Sequence, residues 1–143
     1  MHAVSVISSI AVAGVIAYTM LPLAGNDPIE VSAATIPGGA LATVSLPKTL
    51  SQSAQIGKLA FDTKCASCHG ANAAGQHGVA QPLVHIIYEP GHHGDEAFQR
   101  AAAIGVRAHH WPFGNMPAVE GITRGDVKII TSYVRELQRA NGN

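Results

Sequence analysis

The stretch Cys65-Ala66-Ser67-Cys68-His69 is the most informative part of this chain. A C-x-x-C-H run is typical of the site at which a c-type haem is attached to protein. Two residues between the cysteines let one helical turn bring both thiols to the two vinyl groups of the haem, where each forms a thioether. The next residue, His69, then points its imidazole at the iron and serves as the proximal ligand.

Two other uses of a C-x-x-C pair fit the sequence less well. A structural zinc site needs a second pair of ligands at similar spacing, and the chain has no cysteine besides Cys65 and Cys68. A thioredoxin-like redox motif lies in a βαβ context, which the flanking sequence does not predict. We therefore interpret the motif as a haem attachment site.

Length and composition restrict the remaining possibilities. The chain has 143 residues, enough for one modest domain and an additional segment. Nine basic residues balance nine acidic ones, so the composition does not indicate a nucleic-acid partner. Both cysteines belong to the motif, which leaves none for a structural disulfide.

The N-terminal segment, residues 1–25, is predicted to be a transmembrane anchor. It carries no charged side chain between Ala3 and Ala24, and the first charge in the chain is Asp27. A helix over this run would be about 33 Å long, sufficient for a hydrocarbon core of about 30 Å. A cleaved signal peptide is the alternative, but no Lys or Arg precedes the run, which also exceeds the usual apolar region of ~7–15 residues.

The side of the membrane follows from the haem and not from flanking charges. The positive-inside rule cannot be applied, because the N-terminal flank carries no Lys or Arg. Haem is attached to c-type apoproteins on the outer side of the membrane. The bulk of the chain is therefore expected in the periplasm or an equivalent compartment.

Residues 26–50 are predicted to form a linker. They are rich in Ala, Ser, Thr, Pro and Gly, and the helix breakers Pro28, Pro37 and Pro47 interrupt any helical period. A flexible segment of this length would span about 30 Å. The alternative is a strap lying on a partner subunit.

Residues 51–143 are predicted to form the haem domain. Ser51 or Ser53 can cap a first helix that continues into the haem motif. Gly57 lies inside this helix, where glycine costs about 1 kcal/mol relative to alanine. That cost suggests that another helix approaches closely at this position.

A last helix supplies the partner for the first. Thr123 is its predicted N-cap, with Asp126 three residues later. An apolar stripe follows on one face: Val127, Ile130, Val134 and Leu137, with Ile129 and Tyr133 beside it. A short helix over Asp95–Ile104, ended by Gly105, is expected between the two.

With these elements the chain resembles a class I (mitochondrial-type) cytochrome c over roughly residues 51–137. The resemblance rests on the haem motif and on four features around it. These are Gly57-x-x-x-Phe61 before the motif, Pro82-Leu83 after a glycine-rich loop, Met116-Pro117 in a long loop, and a terminal helix bearing Tyr133. Gln81 departs from the glycine usual before the proline, and His109–Pro112 is also unusual.

The resemblance implies a fold and a set of roles. The fold class is all-α: a transmembrane helix, a linker and a small domain wrapped around one covalent haem c with its iron. In the family the first and last helices cross at the glycine, which here implies contact between Gly57 and Tyr133. The proline carbonyl holds the proximal histidine, and the methionine is the sixth ligand, which implies such roles for Pro82 toward His69 and for Met116.

Met116 can also be identified as a ligand without the family. Met1 and Met20 belong to the N-terminal segment, so Met116 is the only thioether available to the iron. Histidine plus methionine ligation raises the reduction potential and leaves no open site, which suits electron transfer. The alternative is that Met116 fills a gap in the core.

Besides His2 in the N-terminal segment, six histidines lie outside the motif: His77, His85, His92, His93, His109 and His110. Any of them could replace Met116 and give a bis-histidine haem, and the two His-His pairs could hold a second metal such as copper or zinc. The simplest interpretation is surface and loop residues, some of which hydrogen-bond the haem propionates. His85, Arg107 and Trp111 are the candidates for that role.

The sequence thus predicts an electron-transfer protein and not an enzyme. It would exchange one electron with redox protein partners, bind the membrane through its N-terminal helix, and use neither nucleic acid nor a small-molecule substrate. One alternative is a fixed cytochrome c subunit of a larger membrane oxidoreductase complex. A haem enzyme or gas sensor needs an open sixth position, which a methionine ligand would close.

Overall fold

The computed structural model describes residues 36–143, and the backbone in this range is mainly helical. Two isolated bridges occur there, and these residues form no β-strand. The α-helices are α1 (Gln52–Lys64), α2 (Ala66–His69), α3 (Asp95–Ile104) and α4 (Arg124–Ala140), and short 3-10 turns cover Ala71–Ala73 and Ile86–Tyr88. The all-α expectation is confirmed for this part of the chain.

Helix α1 begins as predicted but ends before the haem motif. The Ser51 side chain accepts a hydrogen bond from the backbone N–H of Ala54, so Ser51 and not Ser53 is the cap. The helix stops at Lys64, where Cys65 leaves helical geometry (φ −121°), and α2 resumes at Ala66. The predicted continuous helix is therefore two helices with a break at the first cysteine.

The crossing of α1 with α4 is the main packing contact of the domain. A β-carbon at Gly57 would overlap the carbonyl group of Ile129 and lie 3.2 Å from the backbone nitrogen of Ile130. Glycine is required because the two backbones touch. The predicted crossing of the two helices at Gly57 is confirmed, and the Tyr133 ring packs one turn further along on Phe61, with centroids 5.7 Å apart.

Helix α4 carries the buried face of the core. Thr123 and Asp126 form the predicted capping box, in which each side chain accepts a hydrogen bond from the other residue's backbone N–H. The core cluster joins this helix to α1 and to the loop after α2; its buried members are Ala54, Phe61, Ala73, Val84, Ile130, Tyr133, Val134 and Leu137.

Helix α3 has the predicted bounds, with Gly105 at its C-terminal cap. It is tied to α4 where the Gln99 side chain donates to the Arg124 carbonyl at 3.1 Å. The Val119 N–H donates to the Ala102 carbonyl at 2.9 Å, which attaches the preceding loop to α3. These contacts hold α3 against α4 and the loop that precedes it.

Residues 36–50, the described part of the predicted linker, lie against the helical domain. The N–H groups of Leu41 and Ala42 both donate to the Ala74 carbonyl, at 3.1 and 3.0 Å. Ser45 and the Asn141 side chain exchange two hydrogen bonds of 2.8 and 2.9 Å. This stretch is a strap on its own domain, held by backbone hydrogen bonds without regular secondary structure.

Among residues 36–143, none of the helices combines the length and apolar character that a bilayer crossing needs. The predicted anchor, residues 1–25, lies outside the described residues.

Candidate haem site

His69, at the end of α2, is held in one orientation by the backbone. Its Nδ1 donates to the Gln81 carbonyl at 3.0 Å, and only 6% of the residue is exposed. Burial lowers the pKa of His69, and the hydrogen bond to Gln81 partly opposes this. A neutral imidazole with Nδ1–H engaged leaves the Nε2 lone pair free for a metal.

The carbonyl that holds His69 belongs to Gln81 and not, as the resemblance implied, to Pro82. A β-carbon at Gly75 would lie 2.5 Å from the Pro82 nitrogen, so the Gln81–Pro82 peptide packs directly on the glycine. The next peptide is fixed separately, because the Leu83 N–H donates to the Ala73 carbonyl at 2.9 Å. In a trans peptide the carbonyl points opposite to the N–H. Because the Leu83 N–H points at Ala73, the Pro82 carbonyl points away from Ala73.

Cys65 and Cys68 are free thiols on the same short stretch. Burial, and to a lesser degree the charge of Cys68, raises the pKa of Cys65 to about 11. A redox-active C-x-x-C pair needs a thiol whose pKa is lowered, so that the thiolate is present at neutral pH. The environment of Cys65 therefore disfavours the thioredoxin-like alternative.

Met116 lies in the loop that follows α3. Val106 and Met116 pair through two backbone hydrogen bonds of 2.9 Å each, which closes the loop between them. Within this loop the Asn115 side chain accepts from the Ala108 N–H at 2.9 Å. The position of Met116 is thus set by backbone pairing next to the C-terminus of α3.

One cavity of about 260 Å³ joins these side chains. Cys65, Cys68, His69 and Met116 all line it, together with apolar residues from α3, α4 and the intervening loop. A second cavity of about 420 Å³ adjoins it. The two share a wall formed by Leu83, Phe98, Ala101 and Met116.

These residues fit a haem. The lining of the first cavity is largely apolar, including Phe98, Ile122, Val127 and Ile130, as a porphyrin requires. Trp111 Nε1 is buried and has no hydrogen-bond partner among the described residues. A buried donor without an acceptor is costly, and a haem propionate is an acceptor of the right kind.

The three predicted propionate donors lie near one another. Arg107 lines the second cavity, and Trp111 lines a smaller neighbouring one that also reaches Met116. The His85 ring packs edge-on against Trp111, with centroids 5.3 Å apart. His85 Nδ1 itself accepts from the Ile87 N–H at 3.2 Å.

Sequence reasoning missed two residues that support the haem crevice, which the two adjoining cavities form. Gln81 acts through its carbonyl, for which a sequence gives no signal. Arg135 is 7% exposed and its guanidinium lies 4.9 Å from the centre of the Phe98 ring. The only sequence feature that could have indicated a role for Arg135 is its position next to Val134, at the edge of the apolar stripe of α4.

Comparison with protein families agrees with this geometry. A family model described as Cytochrome c matches residues 54–138. The chain belongs to the cytochrome c family. Such proteins bind haem c with its iron and serve in electron transfer. Comparisons with curated proteins and with solved structures give no match.

Proposed function

We propose that this cytochrome c carries one electron at a time on a single haem, bound by thioethers to Cys65 and Cys68. His69 and Met116 are its axial ligands. The observation that carries the proposal is that all four side chains line one apolar cavity. This role needs no residue that acts as an acid, base or nucleophile on a substrate.

The chain's own residues would keep the two ligands in place. The Gln81 carbonyl holds the His69 ring through Nδ1, and the Val106 pairing holds the Met116 backbone. Rigid ligands limit reorganisation when the charge on the site changes. The haem supplies the one-electron chemistry, and an apolar site with an axial methionine favours the reduced form.

The propionates would face the polar edge of the crevice. Trp111 Nε1 is the strongest candidate donor because it is buried without a partner among the described residues. Arg107 adds a positive charge on the adjoining wall. His85 orients Trp111 by ring contact.

Axial ligation is tested by Met116→Ala. The oxidised haem-loaded protein should show the weak sulfur-to-iron charge-transfer band near the red end of the visible spectrum. The variant should lose that band and bind carbon monoxide when reduced, because the sixth position opens. Leu83→Ala is the matched control, since Leu83 lines the same cavities without an iron-binding atom.

A bis-histidine spectrum in the unchanged protein would overturn this ligation. His93 and His109 are the histidines to examine in that case, because both line the second cavity beside Met116. Retention of the charge-transfer band in Met116→Ala would overturn it equally.

We further propose that residues 1–25 anchor the protein, with the haem domain on the periplasmic or equivalent outer side. Residues 36–143 carry nine basic and seven acidic side chains, and two propionates would bring the net charge near zero. Lys58 is paired with Asp62 at 2.5 Å, which weakens a local basic patch with Lys64. Long-range charge steering of redox partners is therefore expected to be weak.

A truncated protein beginning at Ile36 tests the anchor and keeps the strap intact. It should fold and take up haem, yet exchange electrons with membranes much more slowly than the full chain, with a shallow dependence on salt. Tethering raises the effective concentration of a partner to about the millimolar range, and truncation removes that gain. Equal rates for the two forms, with a steep fall at high salt, would show that charge steering carries the encounter.

A further inference from the structure

Two histidine pairs that are separate in sequence meet beside the crevice. His92 and His93 follow the 3-10 turn at Ile86–Tyr88, and His109 and His110 lie in the loop that ends at Met116. The ring centroids of His110 are 5.5 Å from those of both His92 and His93 and 4.2 Å from that of His109. The function proposed above does not use this cluster.

Three of these rings have the geometry of a metal site. Ligand nitrogens of His92, His93 and His110 all lie within 4.8 Å of one another. Bonds of about 2.0–2.1 Å to a tetrahedral ion place nitrogens about 3.3 Å apart. His92 and His110 are exposed, so rotation of their side chains can close that difference without moving the backbone.

Backbone carbonyls already orient two rings of the cluster. His93 Nδ1 donates to the Ile87 carbonyl at 2.5 Å, and His109 Nδ1 donates to the Arg107 carbonyl at 2.7 Å. In each neutral ring this leaves Nε2 as the unprotonated nitrogen. Such a hydrogen bond is the usual outer partner of a metal-bound histidine, because it fixes the tautomer and the ring orientation.

Both loops that carry the pairs are held by side chains. Buried Arg135 donates to the carbonyls of Tyr88 and His93, each at 2.6 Å. Asn115 holds the other loop through the Ala108 N–H.

We propose that His92, His93 and His110 bind one divalent late transition metal, with copper preferred over zinc, and that His109 supports the site. Neutral imidazoles suit both ions, and divalent affinities generally peak at copper. The bound ion would connect the loop after Leu83 to the loop of Met116. The proposal requires that His93 does not bind the haem iron, as holds for His69–Met116 ligation, and the haem spectrum checks this separately from metal binding.

The experiment uses the full-length, haem-loaded, oxidised protein after treatment with a chelator. Calorimetric titration with Zn²⁺, which is redox-inert, should give one site per chain. Cu²⁺ added in equal amount should show nitrogen ligation by electron paramagnetic resonance and should displace Zn²⁺. The haem absorption spectrum, recorded in parallel, reports whether haem ligation has changed.

The variants distinguish this site from scattered surface binding. His110→Asn and His92→Asn should each weaken Zn²⁺ binding at least tenfold, and the double variant should abolish it. His77→Asn is the matched control, because His77 lies away from the cluster, beside Gly39, and should bind like the unchanged protein. Absence of a one-to-one site, or equal affinity in the double variant, would overturn the proposal.

Discussion

The two sides of the crevice are built in different ways. On the helical side, Cys65, Cys68 and His69 come from one short stretch, which is backed by the contact of α1 with α4 at Gly57. On the loop side, Met116 reaches the cavity through pairing with Val106 in a stretch without helix or strand. The helical side has a continuous apolar core behind it, whereas the loop side depends on individual polar contacts.

This difference predicts that substitutions on the two sides have different effects. Regions with a dense apolar core open only when the whole domain unfolds, whereas loops held by a few hydrogen bonds open locally at lower free energy. Changes on the helical side should therefore lower global stability. Changes on the loop side should disturb methionine ligation or metal binding before they unfold the domain.

The largest expected effect is that of Gly57→Leu on the helical side. Any β-carbon there overlaps the Ile129 carbonyl, so the helices must separate, at a cost of about 3 kcal/mol or more in the free energy of unfolding. Denaturant unfolding of the haem-loaded protein measures this cost. The charge-transfer band should persist in the fraction that remains folded.

Ser53→Leu is the control for Gly57→Leu, since it adds the same side chain at an exposed position of α1. Its stability should change by no more than about 0.5 kcal/mol. Equal stability of the Gly57→Leu variant and the parent would mean that the helices do not touch at this position.

Arg135 lies on α4 but holds residues of the loops, so Arg135→Met should affect both sides. It removes the hydrogen bonds from α4 to the carbonyls of Tyr88 and His93 and the contact with Asp95 at 2.9 Å. Hydrogen bonds from a charged donor are worth about 1.5–3 kcal/mol each, and Gln138 still donates to Tyr88. We expect a loss of about 2–3 kcal/mol, with weaker Zn²⁺ binding because His93 is released.

Arg124→Met tests whether the stability loss expected for Arg135→Met arises because Arg135 is buried. Arg124 pairs with Glu96 at 2.8 Å, but both side chains are about two-thirds exposed or more (73% and 67%). Exposed pairs contribute about 0–1 kcal/mol, so this variant should resemble the parent. Similar losses in the two arginine variants would contradict the role given to burial.

Apart from the two control variants, the smallest expected effect is that of Asn115→Ala on the loop side. Loss of the hydrogen bond to Ala108 should cost about 1 kcal/mol, mostly as local opening around Met116. On heating, the charge-transfer band should disappear at a lower temperature than in the parent, while the helical circular dichroism melts almost unchanged. A parallel shift of both signals would mean that the loop and the helices unfold as one unit.

Local patterns of the sequence predicted the parts of the fold that depend on neighbours along the chain. Thr123 and Asp126 were identified as capping residues, Ser51 was one of two candidate caps, and α3 has its predicted bounds. Each of these signals acts within one helical turn, so it can be recognised without knowing the rest of the fold. The helix break at Cys65 was missed, because no local breaker marks it.

Contacts between distant residues were predicted in kind but not in detail. Gly57 indicated a close helix crossing, and the atoms nearest to it belong to the Ile129–Ile130 backbone of α4, which the sequence did not identify. The carbonyl that holds His69 is that of Gln81 and not that of Pro82. A sequence shows which residue tolerates close approach, but the register of a crossing and the direction of a carbonyl depend on how the elements pack.

The cofactor class could therefore be inferred from the sequence alone, because two thiols and an imidazole at fixed spacing form a complete attachment site within five residues. It also indicated α3, α4 and the start of α1, whose caps and apolar stripe are local features. The tertiary structure alone decided that residues 36–50 lie on the domain, that Arg135 anchors the loop of His93, and that two histidine pairs meet. These outcomes depend on loops whose paths follow from long-range hydrogen bonds, and such bonds join residues that no short pattern connects.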